Sequence, residues 1–579
     1  MFRSGIHLIL FFATLLATSA RGATKLCDNI FLEEGDITLN GNEKILICGT
    51  NKGEEGWADV PLTQAELHLR AILQSAGYSN PHFERNGNSL KVWSGSKNEI
   101  KDLKVNVEKD ILNPDKKRNI VGENLTSGHL DEVTAWANSE IRSKGYACPN
   151  IKVTAQTWDG NVLVNAHTGL QGKISRFDVD NLGDLNMDVM DRYQPFSIGD
   201  IYDIRKTQIM SERLLNDGLF QSAFFETTCK DRDINLNLQT SIGRPKILRF
   251  GIGASTEETG FIDLTFRNAH LDNMASSVTT TLHISNRLLS FVADSELYWF
   301  PGWHTVFFGP RFRTERESEP SYQTDSARVG ADIGRRWDMW NTRFLARWGP
   351  TLNIVNTVRG LGPEDARYPT IDGSLSMMSH NYEAYRRLQY EGWTADVFFR
   401  GQGKGLGSQV NVNRYESEFK YLWNIGQYAP PLFVLGTRLQ GIAVDAEEVT
   451  DDSDITLIPV TERIFVGGDQ NLRGFPRLSI DNQRRGFLSF LMAGFELRLI
   501  EELPYNIQPF LLWDAGQVGN RRYTLDPPKF ISEGGGIRWL SPFGTFRGTA
   551  ARGRVLNQDE TNISYPEQWV FFLSFGQEF

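Results

Sequence analysis

The most chemically pointed residue in the chain is an arginine at the tip of a glycine-rich stretch. Residues 465–475 read Phe465-Val466-Gly467-Gly468-Asp469-Gln470-Asn471-Leu472-Arg473-Gly474-Phe475. A Gly-Gly turn followed by Arg-Gly-aromatic presents a guanidinium on a backbone with little side-chain bulk beside it. Away from water a guanidinium needs charge-assisted hydrogen bonds to carboxylates or phosphates. That is binding and positioning chemistry rather than catalysis. The chain has no Gly-x-Ser-x-Gly, no His-Glu-x-x-His and no phosphate-binding loop, and its nine His are scattered. No catalytic residue, metal site or cofactor is expected.

The other reactive side chains are Cys27, Cys48, Cys148 and Cys229, all before position 244. The chain opens with Met1-Phe2-Arg3, an apolar core from Ile6 to Leu16, and Ala17-Thr18-Ser19-Ala20. This pattern predicts a secretory signal peptide over residues 1–22, cut after Ala20 or Ala23. An even cysteine count in an exported chain favours disulfides over metal or catalytic use. Cys27–Cys48 is the local pairing, and Cys148–Cys229 would staple two neighbouring units. All three connectivities remain open.

Length and composition restrict what positions these groups. The 579 residues are 40% hydrophobic and 23% charged with a net charge of −10, which argues against a helical membrane bundle, a disordered chain and a nucleic-acid binder. No run of 18 uninterrupted apolar residues follows the signal, so no transmembrane helix is expected. Yet 53 Gly and 11% aromatics are high for so polar a chain, as a membrane β-barrel would require. The basic residues divide sharply: 15 Lys and 11 Arg precede position 244, whereas 4 Lys and 31 Arg lie from Arg244 onward. Arginine suits a charged lumen or a lipopolysaccharide-facing rim.

Before that boundary one grammar occurs three times. Thr63 and Glu66 predict a capping box on a helix ending at Gly77-Tyr78; Ser127 opens a second ending at Gly145-Tyr146; Ile204 opens a third ending at Gly218-Leu219. Alternating segments follow each stop, best seen from Ile151 to Thr157 and, after Asp159-Gly160-Asn161, from Val162, and these predict hairpins. Each unit is expected to be a helix pair on a small sheet. The expected boundaries are 23–95, 96–173 and 174–244, followed by a barrel over 245–579. The 336 residues from position 244 accommodate about 16 antiparallel strands. Expected strands include Lys246–Ala254, Ser290–Trp299, Arg328–Trp337, Pro509–Asp514 and Gly534–Leu540. The last, Trp569–Phe579, alternates Trp569, Phe571, Leu573 and Phe575 and ends on Phe579. Gly251 and Gly253 in the first barrel strand, with Gly576 in the last, would weaken pairing at a barrel seam.

The repeats resemble POTRA domains, the periplasmic modules that precede certain outer-membrane barrels. The 465–475 motif resembles the signature loop of the outer-membrane assembly barrel superfamily. Gly494-Phe495-Glu496-Leu497-Arg498, Leu512-Trp513-Asp514-Ala515-Gly516 and the run Gly535 to Gly544 agree with it in order. The resemblance implies a loop folded back into the lumen, with Gly467, Gly468, Arg473, Gly474 and Phe475 at its tip. It also implies that Arg473 meets Asp514 on the inner wall, with Glu496 as a second partner. Leu512 departs from the family's usual aromatic. The strand from Trp569 to Phe579 looks like the C-terminal sorting strand of outer-membrane barrels. Three repeats and a barrel resemble the TamA-like subfamily of the translocation and assembly module. That implies a bacterial outer-membrane assembly factor, not an enzyme, which helps insert autotransporters or other β-barrel clients. Its expected partners are a TamB-like inner-membrane protein, unfolded outer-membrane protein clients and outer-membrane lipid or lipopolysaccharide. The alternative is a two-partner-secretion-type export pore.

Overall fold

The structure, a computed structural model, describes residues 23–50, 60–383, 389–408, 410–447, 449, 454–500, 503–542, 544–557 and 567–575. The expected signal peptide, Gly576 and Phe579 lie outside the described residues. The chain divides into two compact units: Met1–Arg142 with Pro149–Gly169, and Ser143–Cys148 with Leu170–Phe579.

The first unit contains two α+β modules. In one, the strands Thr24–Cys27, Ile30–Glu34, Ser89–Trp93 and His82–Asn86 lie in that order and carry helices α1 (Gly41–Cys48) and α2 (Leu62–Ser75). Ala65, Leu69 and Leu73 recur every four residues, so α2 turns one apolar face onto Ile30, Leu90 and Val92. In the other module, Asp102–Val107, Asn161–His167 and Asn150–Gln156 form the sheet, and α3 (Ser127–Ser143) buries Val133, Ala137 and Ile141. In both sheets a strand that precedes the helices runs parallel to the second strand of the hairpin that follows them, pairing Ile30 with Leu90 and Leu103 with Val162.

Two local expectations give way here. Thr63 and Glu66 form no capping box: α2 begins after Pro61 without a side-chain cap, and Glu66 instead pairs with Arg85 at 2.8 Å and Arg70 at 3.2 Å. The capping box belongs to Asn40 and Glu43 on α1. Only the first module has two α-helices. In the second and third, the earlier segment winds only into the 3₁₀ turns Pro114–Lys116 and Met187–Arg192. Asn113 and Asn186 accept backbone hydrogen bonds at their starts, which favours a turn over a continued helix.

The second unit joins the third module to the barrel. The strands Lys173–Asp180, Asp233–Ile242 and Phe220–Lys230 form its sheet, and α4 (Ile204–Asn216) buries Met210 and Leu214 against Leu236 and Leu238. Gly218 ends α4 at φ 78°, a left-handed position; an added Cβ would lie 2.4 Å from the Ile247 side chain.

Sixteen antiparallel strands, from Lys246–Ser255 to Trp569–Phe575, then close a barrel in chain order. The alternation is inverted relative to a soluble protein. Leu248, Phe250, Ile252, Trp348, Leu511, Phe571 and Leu573 face outward, while Asp332, Asp372, Arg400, Glu496 and Asp514 are buried inside. So much exposed apolar surface requires lipid. Among the described residues no helix is long and apolar enough to cross a membrane, and the crossing is made by strands. Several strands outrun the sequence reading: Gln323–Met339 contains Arg328–Trp337, Ile507–Gly519 contains Pro509–Asp514, and Asp526–Ser541 contains Gly534–Leu540. Their extensions include Thr324, Asp338, Gln508 and Ser532, polar residues that are buried. Conversely, Ser290–Trp299 stops early, because the strand ends at Glu296 and Leu297 makes only an isolated bridge to Phe308.

The disulfides are Cys27–Cys48 and Cys148–Cys229, the latter spanning 81 residues. Non-reducing peptide mapping of the protein should recover these two pairings. Replacing Cys148 and Cys229 by Ala should lower stability by up to about 4 kcal/mol in urea titration, since the long loop's closure entropy is no longer removed from the unfolded chain. Unchanged stability would contradict a structural role for the bond.

Candidate functional site

Between the strands Phe433–Ala446 and Ser489–Leu499 the chain turns into the barrel. Ile464 bridges Phe487 and Val466 bridges Ile480, so the inserted loop is an irregular hairpin. Its apolar side chains, including Val466, Leu472 and Phe475, pack against Phe490, Met492 and Phe530 of the wall. Gly467 and Gly468 take φ values of 113° and 111°; a Cβ at Gly467 would meet the Pro476 carbonyl oxygen at 2.3 Å. At Gly474 it would strike the Gly553 backbone nitrogen at 2.6 Å. The tip therefore lies flat on the wall, with the Gly474 amide donating to Ser532 Oγ at 2.8 Å and the Phe475 ring edge-on to Phe530 at 5.5 Å.

This contact delivers Arg473 into a dry site. Arg473 is 2% exposed, while Glu496 and Asp514 are 0% exposed. Its Nε and Nη2 donate to the two Asp514 oxygens at 2.9 and 2.5 Å, and Nη1 donates to Glu496 at 2.6 Å. The Arg473 backbone amide also donates to Asp514 at 3.2 Å. Glu496 is the hub, accepting from Arg498 Nε at 2.7 Å and Arg547 Nη2 at 2.9 Å as well. Arg498 is legible beside Glu496 because a two-residue offset keeps both on one face of a strand. Ser532 stands opposite Asp514 on the next strand, and Arg547 and Gly553 come from the strand after that. Leu512, the departure from the resemblance, packs with Phe510 and Ala551 and stands opposite Glu496 in the strand register.

Further arginine contacts hold the loop elsewhere. Arg477 donates to Glu319 at 2.9 Å and to Glu257 at 3.1 Å, and Arg400 reaches Glu462 at 3.1 Å. A different set joins α4 to the turn end of the barrel. Arg213 pairs with Asp338 at 2.8 Å and Glu383 at 2.7 Å, and Asp217 faces Arg343, Arg336 and Arg267 at 3.3, 3.6 and 3.6 Å. Burial pushes the Asp217 carboxyl up, but the three guanidinium groups outweigh it and hold the group well below the usual carboxylate range. No motif around Asp217 announces this latch.

At the seam, the described residues of the first and last strands pair through Ala254 with Phe575 and Ser255 with Ser574. Thr256 adds a backbone hydrogen bond to Leu573 at 2.9 Å. On its other side the first strand pairs from Lys246 with Asn268 to Gly253 with Phe261. The two seam glycines differ. Gly253 lies under the Phe261 ring, where a Cβ would come within 2.1 Å, whereas the nearest atom to a Cβ at Gly251 is 3.5 Å away. A side chain at Gly253 would thus displace the Phe261 ring, whereas one at Gly251 would meet only ordinary contacts. Trp569, Phe571 and Leu573 point outward, and Phe575 stacks on Phe546 at 4.4 Å.

Residues 241–579 match the family model of the Omp85 superfamily domain. Among solved structures, the chain is similar to BamA from Haemophilus ducreyi lacking POTRA domains 1–3, at 13% identity and a TM-score of 0.49, covering 83% of this chain and 99% of that one. CdiB from Acinetobacter baumannii gives 13% and 0.46, covering 82% and 89%; CdiB from Escherichia coli gives 13% and 0.44, covering 88% and 95%.

Replacing Arg473 by Ala leaves Asp514 and Glu496 with a buried charge short of its partner, at a cost of about 3–5 kcal/mol. The folded band on semi-native gels should then convert at a lower temperature than wild type, with Arg473→Lys intermediate; an unshifted conversion would contradict the lock. For Asp217 the depressed carboxyl supplies stability that is complete above about pH 4 and lost only as pH falls below the usual carboxylate range. Limited proteolysis of the third module should therefore be unchanged between pH 7 and 5, while Asp217→Asn should accelerate it at pH 7.

Proposed function

The chain belongs to the Omp85 superfamily and is an outer-membrane β-barrel of that insertion and secretion family, and on this premise we propose that it is a non-enzymatic assembly factor for other outer-membrane proteins. Its clients on this reading are unfolded β-barrel proteins, autotransporters among them, and it works as the TamA-like subunit beside a TamB-like inner-membrane partner. The observation that carries the reading is the loop that fills the lumen and is locked to its wall. The inserted loop occupies the lumen and is tied down through Arg473, Arg477 and Glu462. At the seam, the first and last strands meet through Ala254 with Phe575 and Ser255 with Ser574.

A client strand in lipid must satisfy its backbone N–H and C=O groups, and a strand edge at the seam offers that pairing directly. The edge strands of the modules, Asn150–Gln156 among them, offer the same pairing to an extended client before it reaches the membrane. Outer-membrane lipid or lipopolysaccharide would contact the Arg- and Trp-bearing outer rim. The competing reading, an export pore of two-partner-secretion type, instead passes the client through the lumen and requires the loop to leave it.

Photocrosslinkers placed at Leu248 and Leu573, on the outward face of the seam strands, and at Thr351, inside the lumen, separate the two readings in cells. Client adducts at the seam positions are expected. Adducts confined to Thr351 would overturn the assembly reading in favour of the pore.

A further inference from the structure

The lumen holds a second arginine cluster that the Arg473 lock does not use. A cavity of about 410 Å³ there is lined by Arg311, Arg313, Arg328, Arg400 and Arg414, against the acidic groups of Asp294, Asp372 and Glu416. Four of these arginines have carboxylate partners. Arg311 meets Asp332 at 2.7 Å, Arg313 meets Glu315 at 2.5 Å, Arg400 meets Asp372 at 3.0 Å, and Arg414 pairs with Glu416.

Arg328 does not share this arrangement. Its Nε is buried without a hydrogen-bond partner, and among the described residues no carboxylate lies within ion-pairing distance of it. It also stands directly opposite Arg313 in the strand register. Like charges opposed across a ladder are destabilising, and arginine cannot relieve the conflict by losing its proton. The guanidinium is therefore a donor set facing a cavity, with a second arginine beside it and no internal acceptor assigned to it.

We propose that this cavity is an oxyanion site that takes a phosphate group, held by Arg328 and Arg313. Tetrahedral phosphate oxygens accept forked N–H bonds from two guanidinium groups at once, and the added negative charge offsets the opposed pair. The group is supplied either by free inorganic phosphate or by a soluble phosphate monoester. This site is independent of the assembly reading, since it rests on the wall strands Val306–Ser318 and Gln323–Met339 and not on the seam.

The test uses the full chain purified in detergent micelles, with thermal melting and calorimetric titration in inorganic phosphate, in glycerol 3-phosphate, and in chloride at equal ionic strength. Saturable stabilisation by inorganic phosphate over chloride is expected in the wild-type protein. Binding of glycerol 3-phosphate as well assigns the site to monoesters, and its failure to bind assigns the site to the free ion. Arg328→Gln should weaken phosphate binding by about tenfold or more and remove the phosphate increment, and Arg313→Gln should weaken it too. Arg335→Gln, which removes an outward-facing guanidinium near the Trp337 ring, should leave binding unchanged. Should Arg328→Gln fail to fold, the wild-type and Arg313→Gln titrations decide by the same readout. No phosphate effect beyond chloride in the wild type, or equal effects in wild type and the Arg328 and Arg313 variants, would overturn the proposal.

Discussion

A guanidinium buried at the centre of a barrel sets the terms for the rest of the lumen. Arg473 cannot lose its charge, and it lies where water is excluded, so it must be matched there by carboxylate partners. Asp514 takes two of its donors and Glu496 takes a third. Satisfying Glu496 in turn recruits Arg498 and Arg547. The glycines follow from the same contact: the arginine reaches the wall only because Gly474 lies against Gly553 without a side chain between them. Removing one member thus leaves several charges in a site that cannot hydrate them.

This constraint explains the uneven composition. In a lipid-facing barrel the apolar residues are spent outward, and the interior is left to polar and charged groups. Interior charges must be paired with defined geometry, which favours the planar fork of Arg over the mobile ammonium of Lys. The split of 4 Lys against 31 Arg after position 243 reflects that requirement. The three modules, by contrast, have small apolar cores of the ordinary kind, with Leu69, Leu73, Leu90 and Val92 in the first. The net charge of −10 averages two regimes and describes neither.

Much of this architecture is legible in the sequence because the informative signals are local. Period-two alternation marks the barrel strands, and glycine stops at Gly77, Gly145 and Gly218 mark the repeats. Arg473 stands out because its neighbours are glycines and aromatics. Other features are hidden for a physical reason. Asp217 and Arg213 on or just after α4 look like ordinary helix-end charges until closure of the barrel brings Arg343, Asp338 and Glu383 to them. Glu66 looks like a cap residue because the spacing permits it, yet Arg85, on a strand 19 residues away, offers a charged partner. Strand ends blur for a related reason, since polar residues on the lumen side carry no loop signal of their own. Phe261 over Gly253 shows the limit most clearly: a side chain at one glycine would displace a ring across the ladder, while at Gly251 it would meet only ordinary contacts with Asp263.

The division of labour between a locked lumen and a seam that receives the client is the central claim, and a covalent clamp tests it most directly. Ser255 and Ser574 face each other in the register. Ser255→Cys combined with Ser574→Cys, oxidised in cells, closes the seam while leaving the lumen and its loop untouched. Client assembly should stop in the oxidised protein and return on reduction. Assembly that proceeds at the wild-type rate with the seam fully crosslinked would contradict the claim.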